Sequence, residues 1–119
     1  MEAAGVTDAA VKTFRHPNLF DQRRIERALK ARKRYRYVSP SVTAVAEGYR
    51  IESPCCSRNV DPSGGIVDVA LLIFDESHAV WQLFRKDHDK RQWQFHSAYR
   101  RLIELLEELN ADPDREFWQ

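Results

Sequence analysis

The chain is poor in the residues that mark specialised protein classes: two cysteines, four glycines, five prolines and one methionine in 119 residues. The cysteines, Cys55 and Cys56, are adjacent. Their Cα atoms lie about 3.8 Å apart across a trans peptide, below the usual disulfide span, so no disulfide framework is available. A structural zinc site needs four converging ligands, typically from two separated pairs. His16, His78, His88 and His96 are scattered around a single contiguous pair, so neither a metal nor another cofactor is expected. The one glycine-rich stretch, "DPSGG", has turn chemistry without a helix start behind it and is no phosphate-cradling loop. Long apolar runs are missing too. The best, "IVDVALLIF", is about half of the roughly 18 residues that span a bilayer, and it contains Asp68. The opening "MEAAGVTDAAVKTFR" lacks a charged region followed by an apolar core, so no signal peptide is expected. These absences predict a cytosolic protein with reduced thiols and no membrane partner. Nor is there an excess of one charge: 19 Lys and Arg stand against 18 Asp and Glu, so the global balance predicts no polyanionic partner.

What is present suits one globular domain over residues 1–119, with 43% hydrophobic and 31% charged residues. Residues 1–15 have no sustained period and read as a loose arm. "DQRRIERALKARKRY" predicts a helix over 22–34, with Asp21 as N-cap and a staple between Phe20 and Ile25. Ile25, Ala28, Leu29 and the stem of Arg32 share its apolar face. "SVTAVAEGYRIES" reads as two short strands around Glu47-Gly48, or as one bent strand with a bulge at Gly48. "IVDVALLIFD" is apolar almost throughout, which predicts a central strand covered on both faces. "AVWQLFRKD" sets Val80, Gln82 and Phe84 on one face and Trp81 and Leu83 on the other, and "QWQFH" follows as a short strand with Trp93 and Phe95 on one side. A last helix, capped by Ser97, carries Tyr99, Leu102, Ile103 and Leu106, with Leu105 and Leu109 widening the stripe and Asn110 ending it. Pro113 stops any continuation, and Phe117 and Trp118 are expected to dock back on the body. The predicted fold is α+β: an N-terminal helix, an antiparallel sheet of about four to five strands, and a C-terminal helix packed on one sheet face.

Charge is unevenly placed. Residues 22–36 hold Arg23, Arg24, Arg27, Lys30, Arg32, Lys33, Arg34 and Arg36 against Glu26 alone, while the far end is acidic. One reading is a nucleic-acid-binding helix that grips phosphates, with Tyr35 and Tyr37 available for stacking. The other is a solvated face whose charge is answered by the acidic C-terminal helix, in cis or across a dimer. The loop "SPCCSRN" offers Cys55 and Cys56 as reactive thiols beside Arg58, but no His, Asn or Asp stands at a spacing that specifies a catalytic partner, and inert burial at the start of a strand is the preferred reading. Asp87, His88 and Asp89 lie at a turn, where a carboxylate could orient an imidazole or all three could simply be solvated. Trp81, Phe84, Trp93 and Phe95 belong to the core if helices receive them, and to an interaction surface if one sheet face stays open.

The layout as a whole, "RIERAL", "VDVALLIFDESHAVWQLFRKDHDKRQWQFH" and "LLEELNADPDREFWQ", resembles a family of small bacterial proteins classed only as a domain of unknown function. In that family an N-terminal helix precedes a Trp-rich hairpin, a Leu-rich helix and an Asp-Pro segment closing in Phe-Trp or Phe-Phe. The likeness covers about residues 20–119; the "SPCCSRN" loop and the lack of a Gly at the extreme end depart from it. It implies a bacterial, cytosolic, single-domain protein and supplies no activity or cofactor. With no assembled catalytic motif, the leading expectation is a non-enzymatic module that self-associates or binds a protein partner. Nucleic-acid binding through 22–36 and thiol chemistry at Cys55 and Cys56 follow as alternatives.

Overall fold

A computed structural model describes residues 15–32, 39–54 and 65–118. Helix α1 (Leu19–Leu29) leads into five strands, β1 (Ser41–Val45), β2 (Gly48–Pro54), β3 (Ile66–Asp75), β4 (Val80–Asp87) and β5 (Gln92–Tyr99), and helix α2 (Leu102–Ala111) follows. The strands pair in sequence order, each antiparallel to the next. The expected α+β architecture is therefore present, with β3 at the centre of the sheet. Short turns force three of the four antiparallel pairings: Ala46-Glu47, Glu76–Ala79 and His88–Arg91 are too brief for a crossover. Glu47 takes the left-handed conformation at φ 63°, and its carbonyl accepts the Phe74 N–H at 3.0 Å, which ties the first hairpin to β3. Gly48 lies so close to β3 that a Cβ there would stand 1.9 Å from the Leu72 carbonyl oxygen.

Both helices bury their apolar stripes on the same sheet face. Ile25 and Leu29 of α1 and Leu105, Leu106 and Leu109 of α2 join Tyr49, Ile51, Leu72, Trp81 and Leu83 in one core. Asn110 links the helices, its amide donating to the Ala28 carbonyl at 2.8 Å. Two bulges break the two-residue alternation. Ile51 pairs with Ala70 but Glu52 with Asp68, leaving Val69 as the extra residue. Leu83 pairs with Ser97 but Phe84 with Phe95, leaving His96 extra. Each bulge changes which residues face the helices.

Several local expectations are corrected. Helix α1 runs 19–29 rather than 22–34, because Asn18, not Asp21, caps it: the Asn18 Oδ1 accepts the Asp21 N–H at 2.8 Å. Tyr49 fixes that choice, since its hydroxyl accepts the Asn18 N–H at 2.9 Å. Phe20 is 68% exposed and forms no staple. Ser97 is a strand residue; α2 starts at Leu102, where the Glu104 carboxylate accepts the Arg101 N–H. Asn110 sits inside α2, and the left-handed terminator is Asp112 at φ 40°. Cover on both faces of the central strand β3 is not seen among the described residues: both helices lie on one face of the sheet, and neither lies over the opposite face.

The expected return of Phe117 and Trp118 to the body is present, both being buried. Asp112, 1% exposed, holds them. Its carboxylate accepts the N–H groups of Glu116 at 2.8 Å, Phe117 at 3.3 Å and Trp118 at 2.8 Å. The Trp118 indole N–H donates to the Leu109 carbonyl, and the Arg32 guanidinium lies over the indole at 4.7 Å.

Candidate functional site

Among the described residues four groupings carry side-chain chemistry. The first is the basic run. A groove of about 530 Å³ is lined by Arg23, Glu26, Arg27, Lys30, Arg32 and the Ser39-Pro40 segment, among others. Arg24 stands apart from it, bonded to the buried Asp21 at 2.9 Å. Arg23 reaches Glu26 at 3.8 Å, whereas Arg27 and Lys30 have no carboxylate partner among the described residues. The acids of α2 do not answer these cations: none of Glu104, Glu107 and Glu108 pairs with Arg23, Arg24, Arg27 or Lys30. Arg32 differs from its neighbours. It is buried, donates to the Leu29 carbonyl at 2.8 Å and stacks on Trp118, and burial lowers its pKa. Lys33, Arg34 and Arg36 lie outside the described residues, as do Cys55, Cys56 and Arg58.

The second grouping centres on His16. Its ring packs against Trp81 at 4.6 Å and Phe74 at 5.0 Å, with Nδ1 3.1 Å from the Tyr49 hydroxyl and 3.6 Å from the Asp21 carboxylate. A neutral ring that accepts the Tyr49 proton suits this setting. Burial lowers the His16 pKa, with Asp21 and Glu76 pulling it back in part, and burial raises that of Tyr49. A cavity of about 640 Å³ beside it is lined by Glu47, Asp75 and Glu76 among others. Ser77, then His78, bond to the Asp75 carboxyl and lower its pKa. Among the described residues no three His, Cys, Asp or Glu side chains are placed to hold a metal ion.

The third runs along β5. The Glu116 carboxylate accepts from His96 Nε2 at 3.0 Å, His96 Nδ1 lies 2.7 Å from the Ser97 hydroxyl, and that hydroxyl lies 2.6 Å from the Tyr99 hydroxyl. One direction of donation satisfies all four groups, from Tyr99 to Ser97 to His96, and from Nε2–H to Glu116. The order of hydroxyl, imidazole and carboxylate is that of a catalytic triad, but neither cavity reaches Ser97, and the His96 ring rests on Phe117 at 5.1 Å. Together with the Arg85–Glu116 pair at 3.4 Å, the chain of bonds fastens the C-terminal segment to the sheet. The turn group anticipated at Asp87–Asp89 is likewise structural: Asp87 accepts the N–H groups of Lys90 and Asp89 and the Gln94 amide, the Lys90 bond chiefly lowering its pKa.

The fourth is the sheet face turned away from the helices. Register places Leu71, Phe84 and Phe95 in one row across β3, β4 and β5. Phe84 and Phe95 meet edge to face at 5.8 Å, and Phe95 stays 58% exposed. Beside this row lies an ion network that sequence reading missed: Arg50 bonds Glu52 at 3.2 Å and lies 3.7 Å from Asp68, and Lys86 bonds Asp68 at 3.0 Å while sitting 4.7 Å above the Trp93 ring. Its signal was the alternation itself, since Arg50 and Glu52 flank the buried Ile51.

Among the described residues, an antiparallel meander with both helices on one face and a half-apolar opposite face defines an open-faced α+β domain. The chain belongs to the family described as a domain of unknown function, DUF3024, whose model matches residues 14–119. It matches no curated protein and no solved structure. Among the described residues no helix is long and apolar enough to cross a membrane.

Proposed function

We propose that this protein is a non-enzymatic self-association module that pairs with a second copy through the open sheet face. The row Leu71–Phe84–Phe95 carries the reading: it is apolar and, among the described residues, no helix lies over it. Two sheets laid face to face at ~10 Å would interdigitate such rows, as in a sandwich. The charges suit a self-complementary contact, since Arg50 and Lys86 are matched by Glu52 and Asp68 and the patch does not repel its own image. A net charge of +1 adds little repulsion between copies.

Sedimentation velocity of the full chain across a concentration series tests this. A dimer is expected, converted to monomer by Phe95→Glu without loss of the circular-dichroism melt, because Phe95 is mostly exposed. A monomer at every concentration would count against the reading. The thiol alternative stands on Cys55, Cys56 and Arg58 alone and is tested by alkylation rate against pH, where a titration near the ordinary value of about 8.5 would end it.

A further inference from the structure

The groove beside α1 is a separate feature from the open sheet face, and its chemistry is different. Its lining sets Arg23, Arg27, Lys30 and Arg32 against the single carboxylate of Glu26. Arg23, Arg27 and Lys30 follow the i, i+4, i+7 spacing that places them in one row along the helix. Over seven residues that row covers ~10 Å at 1.5 Å rise per residue. Successive phosphates of one nucleic-acid strand advance about 3.4 Å along the axis of a duplex, so the row matches about three of them. Arg27 lies in the last turn and Lys30 directly behind it, both exposed and without a carboxylate partner among the described residues. Arg32 acts differently. Fixed on Trp118 and bonded to Leu29, it braces the end of the helix rather than reaching outward.

We infer that the α1 groove binds the sugar–phosphate backbone of nucleic acid, with Arg23, Arg27 and Lys30 as the phosphate contacts and no base readout. Arg32 is a positioning residue, so its removal disturbs the fold and is a poor test of binding. Nothing in this site depends on self-association.

The test is fluorescence anisotropy of the full chain with labelled single-stranded DNA and duplex RNA of about 20 nucleotides, at about 50 mM and about 200 mM salt. Three contacts predict a log–log salt slope of about −2.1 to −2.7, which is a loss of about 20- to 40-fold in affinity across that interval. Arg27→Glu with Lys30→Glu should abolish binding. The milder pair Arg27→Ala with Lys30→Ala should reduce the slope by about 1.4 to 1.8, leaving the melt unchanged. Phe95→Glu, which addresses the sheet face, should leave binding intact. No anisotropy change at the lower salt, binding unaffected by either double variant, or tighter association with phosphatidylserine vesicles than with the oligonucleotides would each overturn the inference.

Discussion

Replacing Asp112 by alanine should be among the most damaging single changes in the protein. The carboxylate is buried and accepts three backbone N–H groups, two of them at 2.8 Å. A hydrogen bond to a charged group contributes about 1.5–3 kcal/mol, so losing the two short ones alone costs about 3 kcal/mol or more. The chain could evade this by releasing Phe117 and Trp118 to water. Exposing each of those side chains forfeits about 2–3 kcal/mol, so the escape is no cheaper. Alanine also tolerates the left-handed backbone at φ 40° poorly, adding about 1 kcal/mol. The expected loss for Asp112→Ala is therefore about 3–5 kcal/mol. Asp112→Asn keeps one acceptor oxygen and suits the left-handed conformation, but it turns an amide N–H toward a backbone donor; about 1–2 kcal/mol is expected. Urea unfolding followed by tryptophan fluorescence measures both, with acrylamide quenching to report whether Trp118 has come free. A cost below about 1 kcal/mol for the alanine variant, or equal costs for the two variants, would show that the carboxylate does not hold the segment.

Three further outcomes are expected. The unfolded His16 ring binds a proton near pH 6.5, whereas the buried ring resists it, so stability should be full above that pH and decline as pH falls toward the lower folded value. In His16→Gln the urea midpoint should fall less steeply between neutral and mildly acidic pH, and an unchanged slope would refute the burial argument. Arg32→Lys keeps the charge but loses the planar stack on Trp118 and the directed bond to Leu29, and a thermal melt should register about 1–2 kcal/mol. Gly48→Ala would drive a methyl into the Leu72 carbonyl, so the first hairpin must separate from β3 at a cost of about 3 kcal/mol; amide exchange of Phe74, bonded to the Glu47 carbonyl, should accelerate first.

Alternation carried most of the fold. The side-chain pattern of β4 assigns Trp81 and Leu83 to the core from residue types alone, and the brief turns around it leave only a meander. Choices between equivalent local signals were not legible. Asn18 and Asp21 are both good caps, and a hydroxyl 31 residues away decides between them. Ser97 has the chemistry of a cap but spends its hydroxyl on His96 and Tyr99, and the strand continues past it. The apolar run of β3 suggested cover on both sides because composition counts oily residues without saying which of two faces receives them. The basic groove was legible as a run of charge; that Arg32 faces inward depends on Trp118, 86 positions along the chain.

The extra residue at His96 governs the outer strand as a reading frame governs codons. Were His96 paired in line with Phe84 instead of set aside, every upstream position of that strand would shift by one. Trp93 and Phe95 would then turn under the helices, and the glutamines on either side of Trp93 would line the outside. Whether one residue is left unpaired thus decides whether this domain shows its neighbours rings or amides.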